Sequence, residues 1–301
     1  MRELVVISGK GGTGKTSLTA AFAHLARNAV LCDLDVDAPD LHLIAEPSIQ
    51  RSGPFLSGHV AEIDPEACKG CGACEGVCAY GAIRKVDGRF VVDAPHCEGC
   101  KVCVVSCPEG AINFPDRLCG TWYESETRFG PMVHALLDPG LENSGKLVTL
   151  LKAKAREQAS KFGLDLILSD GAPGIGCPVI SSLSQASLVL LVTEPTPSGL
   201  HDLERVVELC RHFRIRSTVL INKADLSPEY QTAIHAFCDA KDIPVVGHLP
   251  HDPAVTEAMV RGQAVTEGID TPFGAQVRRI WLNLQPLLEA PSSSFSKEIP
   301  S

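Results

Sequence analysis

The chain has 301 residues, of which 45% are hydrophobic and 5% aromatic, and a formal net charge of −9. That length holds one large domain or two ordinary ones of roughly 100–200 residues each. The acidic balance disfavours direct binding to a nucleic-acid backbone, and no apolar run approaches the ~20 residues of a membrane span. No charged and apolar leader opens the chain, so the expectation is a cytoplasmic protein without stable membrane insertion. Apolar content carried by Ala, Val, Leu and Ile suits a parallel sheet covered by helices.

LVVIS (4–8) reads as a buried strand, and Leu18, Phe22 and Leu25 recur at helical spacing. Between them lies SGKGGTGKT (8–16), in which Gly9, Lys10, Gly11, Gly12, Thr13, Gly14, Lys15 and Thr16 fit G-x-x-x-x-G-K-[ST] in the strand–loop–helix context that the motif requires. The glycines let successive backbone N–H groups face phosphate oxygens, and the helix adds its positive end. Lys15 is expected on the β- and γ-phosphates, Thr16 on Mg²⁺, and Ser17 in the phosphate-binding set. AVLCDLD (29–35) is a second buried strand ending in acids, followed by Asp37 and Asp40.

From about residue 60 to 117 the apolar periodicity fades. Thirteen cysteines are many for a cytosolic chain and point to metal, not disulfides. Eight of them lie between Cys68 and Cys107, where CKGCGACEGVCAYGAI (68–83) is repeated as CEGCKVCVVSCPEGAI (97–112). Cys68, Cys71, Cys74 and Cys78 have the spacing C-x2-C-x2-C-x3-C, and Cys97, Cys100, Cys103 and Cys107 repeat it. This is the pattern of bacterial two-cluster ferredoxins, in which the fourth cysteine of each run ligates the other cluster. The expected sets are therefore Cys68, Cys71, Cys74 and Cys107 for one [4Fe–4S] cluster and Cys97, Cys100, Cys103 and Cys78 for the second. Zinc sites more often come as two separated C-x2-C pairs. The first run ends in Cys78-Ala79 where the second has Cys107-Pro108, a difference at a non-ligating position. IRKVDGRFVVD, between the runs, reads as a β-hairpin turning at Asp87-Gly88.

The α/β rhythm then resumes. Residues 142–163 read as a helix, and strands are expected at 164–170, 186–195, 217–225 and 243–250, with helices between. The nucleotide-binding domain is thus discontinuous, over 1–58 and 118–290, interrupted by the cysteine module at 59–117, with a disordered tail at 291–301. Asn222-Lys-Ala-Asp225 spells the NKxD pattern with which GTPases read guanine, so Asp225 leaves GTP open. Cys32 and Cys210 read as core thiols. QVRRIWLNLQPLL (276–288) reads as a packed terminal helix interrupted at Pro286.

The early lysine of KGGTGKT resembles the deviant Walker A motif of the MinD/Mrp/ParA and nitrogenase iron protein group. The whole chain resembles a MinD-superfamily P-loop ATPase with an inserted two-cluster ferredoxin domain. The resemblance implies a mostly parallel α/β P-loop NTPase fold with an α+β ferredoxin-like insert, and a homodimer or a heterodimer with a similar ATPase. In such a dimer Lys10 reaches the partner's nucleotide. It also implies that Asp35 orients the attacking water and that Asp170, in DGAPG (170–174), holds Mg²⁺ through water. Gly174 then follows the γ-phosphate, and Asn222 contacts adenine. ATP, Mg²⁺ and two [4Fe–4S] clusters are the implied cofactors. The implied function couples ATP hydrolysis to electron transfer, with a redox or metallocluster protein as partner. An Mrp-like cluster carrier and a MinD-like positioning ATPase are the alternatives. The module begins about thirty residues after Asp35, which the resemblance places in the nucleotide-responsive switch I segment, so nucleotide and cluster states are expected to be linked.

Overall fold

A computed structural model describes residues 1–140, 144–268 and 271–290. The tail at 291–301 and the first two residues of the helix expected at 142–163 lie outside the described residues.

In chain order the elements begin with β1 (Arg2–Ser8), α1 (Lys15–Ala26), β2 (Ala29–Leu34), α2 (Leu41–Ala45) and β3 (Ser48–His59). The cysteine-rich stretch holds β4 (Glu62–Ile63), α3 (Ala73–Val77), β5 (Ile83–Val86), β6 (Arg89–Val92), α4 (Val102–Ser106) and β7 (Ile112–Asn113). There follow β8 (Asp116–Thr127), β9 (Gly130–Leu137), α5 (Ser144–Phe162), β10 (Leu166–Pro173), α6 (Cys177–Leu183) and β11 (Leu188–Thr193). The chain continues through α7 (Pro197–His212), β12 (Ser217–Ile221), α8 (Pro228–Ala240), β13 (Val245–His248), α9 (Pro253–Val260) and α10 (Pro272–Glu289).

The chain divides into two units. The first takes Met1–Ser52, Trp122–Leu136 and the chain from Ser144; the second takes Gly53–Thr121 and a short stretch from Leu137. The division falls inside β3 and β8, where no loop or change of composition marks it.

The main sheet runs in the order β13-β12-β11-β1-β10-β2-β9-β8-β3. β1 is parallel to both β10 and β11, and the pairs β10–β2, β11–β12, β12–β13 and β2–β9 are parallel too. β1 is buried on both faces. Leu4 and Val6 enter a core with Phe22, Leu168, Val277 and Trp281, whereas Val5 and Ile7 enter another with Val179, Leu203 and Val207. That two-sided burial explains why these strands read as continuous apolar runs. The strands expected at 4–8, 29–35, 164–170, 186–195, 217–225 and 243–250 are found as β1, β2, β10, β11, β12 and β13.

Two expectations need correction. The long strands β3, β8 and β9 were not anticipated. β3 (SIQRSGPFLSGH) lies at the sheet edge, is mostly exposed, and carries a proline and two glycines, which an edge strand tolerates. The terminal helix is not interrupted at Pro286 either. α10 runs through it to Glu289, its buried stripe of Phe273, Val277, Ile280, Trp281, Leu284 and Leu288 outweighing one lost hydrogen bond, and Trp281 stacks on Phe22 at 5.4 Å.

In the second unit β4 pairs antiparallel with β7, and β5 with β6. The hairpin turns at Asp87 (φ 49°) and Gly88 (φ 82°), both left-handed as a two-residue type I′ turn requires. Its core is small: Ala61, Cys74, Ala82, Ile83, Phe90, Cys97, Cys103 and Ile112.

Candidate functional site

The C-terminal ends of four adjacent parallel strands meet at one edge, the usual ligand position of such a sheet. β1 leads into the glycine loop, β10 carries Asp170 to Pro173, β2 is followed by Asp35, and β11 is followed by Glu194. Within the loop Gly12 (φ 78°) and Gly14 (φ 91°) are left-handed, and a Cβ on Gly14 would stand 2.6 Å from Asn222 Nδ2. α1 starts at Lys15, so the amides of its first turn have no intrahelical partner. The Thr13 hydroxyl is buried and finds no hydrogen-bond partner among the described residues. Together these make a concave set of donors fitted to phosphate oxygens.

Lys15 is buried, its Nζ 3.7 Å from Asp35 Oδ2. The Thr16 hydroxyl donates to Asp170 Oδ2 at 2.6 Å. The Thr19 hydroxyl lies 3.1 Å from Asp170 Oδ1 and 3.0 Å from the Lys15 carbonyl, able to donate to one of them. Asp33, beside Asp170 in the sheet register, accepts from the Asp35 and Leu41 amides at 3.2 and 3.3 Å. Gly174 (φ 92°) donates its N–H to the Ser8 carbonyl at 2.8 Å, tying the end of β10 to the end of β1.

The electrostatics show a site short of positive charge. Burial pushes Asp170 up to about 6, with Lys15 and Thr16 opposing and Asp35 reinforcing. Burial, then the neighbouring Asp170, holds Asp33 well above the usual carboxylate range. Asp35 is raised by burial, against Lys15 and with Asp37 and Asp40. Asp170, with the Thr16 hydroxyl on its carboxylate, is the acid here that a divalent cation beside the loop would bring back toward its ordinary range.

A second cluster flanks the loop. Lys10 Nζ is 2.9 Å from Glu194 Oε2 and 3.4 Å from Ser198 Oγ. Lys223 pairs with Glu194 Oε1 and donates to the Gly12 carbonyl at 3.0 Å. Asn222 Nδ2 donates to the Thr13 carbonyl at 2.8 Å, while the exposed Asp225 accepts from the His251 amide at 2.5 Å. Ser17 Oγ faces Met259 Sδ at 3.0 Å. Glu194, Lys223 and Thr19 were not singled out from the sequence. Glu194 follows the end of β11 as Asp35 follows the end of β2, a weak signal until β11 is placed beside β1.

In the second unit the eight clustered cysteines divide between two cavities. One is lined by Cys68, Cys71, Cys74 and Cys107, with Phe90 and Ile112. The other is lined by Cys78, Cys97, Cys100 and Cys103, with Ile83 and Phe114. Each cavity thus takes three cysteines from one run and the last cysteine of the other. The two halves repeat their backbone at an offset of 29 residues: Gly70, Gly72 and Gly81 are left-handed, as are Gly99, Lys101 and Gly110. The Ala82 amide lies 3.3 Å from Cys78 Sγ and the Ala111 amide 3.4 Å from Cys107 Sγ, so each crossing cysteine accepts a backbone N–H. Among the described residues no group of three or more His, Cys, Asp or Glu side chains is close enough to hold a single metal ion.

The loop, its lysine, and the acids at adjacent strand ends define a P-loop nucleotide-binding protein on a mostly parallel sheet. The chain belongs to the CobQ/CobB/MinD/ParA nucleotide-binding domain family, whose model matches residues 4–265. It is 35% identical over 228 residues to an uncharacterized protein of Methanocaldococcus jannaschii, MJ0578, a match covering 75% of this chain and 79% of that one. It is 22% identical over 294 residues to the cytosolic Fe-S cluster assembly factor Nubp1 homolog of Drosophila ananassae, covering 88% and 76% of the two chains. Its fold is similar to that of the septum site-determining protein MinD of Pyrococcus horikoshii, solved with Mg-ADP. That match has a TM-score of 0.56 and 16% identity, and covers 96% of this chain and 97% of that one. Among the described residues no helix is long and apolar enough to cross a membrane.

Proposed function

We propose that this chain is a Mg²⁺-dependent ATPase that carries two [4Fe–4S] clusters and links nucleotide turnover to electron delivery. The observation that carries the cluster half is the division of eight cysteines between two cavities, in a chain that also holds a P loop. Three cysteines from one run and one from the other is the donor set of a cross-ligated cluster pair. Four cysteines lining each cavity, three from one tightly spaced run and one from the other, suit a polynuclear centre better than the separated C-x2-C pairs of a zinc site. Cys68, Cys71, Cys74 and Cys107 would hold one cluster; Cys97, Cys100, Cys103 and Cys78 would hold the other. Bound there, the clusters would accept and release single electrons. The amides on Cys78 and Cys107 would stabilise their thiolates.

In the nucleotide half, the loop from Gly9 to Thr16 cradles the phosphates and Lys15 neutralises the β- and γ-phosphoryl oxygens. Thr16 and Asp170 would hold Mg²⁺, which supplies charge neutralisation to the transferring phosphoryl group. Asp35, within ion-pair reach of Lys15, accepts a hydrogen bond from the attacking water and orients it. Asn222 and Asp225 stand on the base side, and Lys10 is the residue that reaches a second nucleotide when two copies meet. Phosphoryl transfer needs little covalent chemistry from the chain; positioning and charge do the work.

The likeness to a cytosolic Fe-S cluster assembly factor favours a second reading of the output, in which electrons or a cluster are supplied to the assembly of another protein's metallocentre. Anaerobic purification tests the proposal. Iron and acid-labile sulfide are expected in equal amounts, enough for two cubanes per chain, with ATP turned over faster than GTP and at a rate that differs between oxidised and reduced clusters. Bound zinc in place of iron would remove the cluster half. Turnover blind to cluster state would remove the link.

A further inference from the structure

Glu194 takes part in none of the steps above, yet it organises both lysines that flank the phosphate cradle. Its side chain is 8% exposed, while those of Lys10 and Lys223 are 32% and 30% exposed. Each lysine takes a different carboxylate oxygen: Lys10 lies 2.9 Å from Oε2 and Lys223 contacts Oε1. The backbone that carries Glu194 is tied down at the start of α7. The Thr196 amide donates to the Glu194 carbonyl at 2.8 Å, and the Thr196 hydroxyl caps α7 by accepting from Gly199 at 3.0 Å. Lys223 is fixed as well, in a left-handed conformation (φ 52°) that a lysine seldom adopts. Burial works against ionisation of Glu194, but the ion pairs with Lys223 and Lys10 outweigh it and keep the carboxyl below its ordinary range.

We infer that Glu194 is a positioning residue that holds Lys10 away from the phosphate cradle and surrenders it to nucleotide, while Lys223 stays. The inference rests on the nucleotide reading given above. A buried carboxylate paired to a single lysine resists separation, because losing its partner strands an uncompensated charge. Two lysines on one carboxylate remove that obstacle: when one leaves, the other still neutralises the acid. The geometry also says which one leaves. Lys223 is anchored a second time, to the Gly12 carbonyl at 3.0 Å, whereas among the described residues Lys10 has the Ser198 hydroxyl at 3.4 Å as its one side-chain partner besides Glu194. A polyphosphate bound in the cradle of a second copy competes with Glu194 for Lys10 by charge alone.

The test is a titration of the full chain with a fluorescent ATP analogue carrying a methylanthraniloyl group, in the presence of Mg²⁺. Glu194→Gln removes the competing charge and is expected to tighten binding roughly three- to tenfold, the size of a partly exposed ion pair. In a Lys10→Ala background the same substitution is expected to change affinity by less than about twofold, since the competition is for Lys10. Unchanged or weaker binding by folded Glu194→Gln overturns the inference. So does equal tightening with and without Lys10. Should Glu194→Gln fail to fold, Glu194→Asp, which keeps the charge but shortens its reach, is expected to tighten binding in the same direction, and unchanged affinity there overturns the inference equally. A wild-type chain that fails to bind the analogue at all, with Lys15→Ala no different, overturns the nucleotide reading itself and this inference with it.

Discussion

Cysteine is used in opposite ways in the two units. In the nucleotide-binding unit Cys32, Cys210 and Cys238 are completely buried among apolar side chains. Burial pushes Cys32 well above the usual thiol range, Cys210 up to about 12 and Cys238 to about 11, so these thiols are inert packing. In the other unit eight cysteines face two cavities, and Cys71 and Cys100 are exposed. The first unit is held by large two-sided cores of Leu, Val, Ile and Phe. The second has a core of eight buried residues, three of them cysteines, with Ile83, Phe90 and Ile112 as its large apolar members. A core that small does not support a domain unaided. The difference sets a unit built on its own apolar burial against one whose small core, on the cluster reading proposed above, would depend on what its cysteines bind.

Metal removal is the strongest way to break that comparison. Anaerobic chelation is expected to abolish amide-exchange protection across the cysteine-rich stretch of Gly53–Thr121 while β1, β10 and β11 stay protected. Protection of both units after iron loss would show that the small core suffices. Next in size is the nucleotide site itself. Lys15→Ala is expected to lower ATP turnover by roughly 10²–10³-fold, read in a phosphate-release assay, without changing iron content.

The third prediction concerns Asp170. Its folded pKa is raised from 3.8 to about 6. Its favourable contribution to stability is therefore fully present below pH 3.8, is lost as pH rises through about 6, and without a cation costs ~1–3 kcal/mol at pH 7. Asp170→Asn is expected to raise the melting temperature at pH 7 in chelator, to flatten its pH dependence between about pH 4 and 6, and to abolish turnover. For the same reason Mg²⁺ affinity in the wild type is expected to fall as pH drops below about 6.

The smallest effects separate the two halves of the cysteine unit. Lys101 occupies the left-handed position that Gly72 fills in the other half (φ 68° and 78°), so Lys101→Gly is expected to stabilise the unit by about 0.5–1 kcal/mol. Gly99→Ala is expected to do the reverse, since its φ is 61° and a Cβ would stand 2.5 Å from the His59 carbonyl oxygen. Both are read as shifts in the denaturant midpoint of the cluster absorbance.

Where chemistry demands a residue type at a fixed spacing, the sequence was legible. Lys15, Thr16, Asp35 and Asp170 converge because phosphate and cation chemistry admits few substitutes, and the two cysteine runs carry their own spacing. What stayed hidden depends on tertiary placement. Glu194 is one acid among many until β11 is known to lie beside β1. Lys223 owes its aim to a left-handed backbone that no motif records. β3, β8 and β9 lie on the outer side of the sheet beyond β2, where alternation is weak, and Gly53, Pro54 and Gly58 make β3 read as a loop.

The pairing of β4 with β7 has a further consequence. Glu62 stands opposite Asn113, and the Val60 amide bonds to the Pro115 carbonyl at 3.1 Å, so the chain enters and leaves the cysteine-rich stretch one strand spacing apart. A segment whose ends meet in this way is a cassette. Its excision, with the flanking strands rejoined by a short turn, is expected to leave the main sheet folded, as read by amide-exchange protection of β1, β10 and β11.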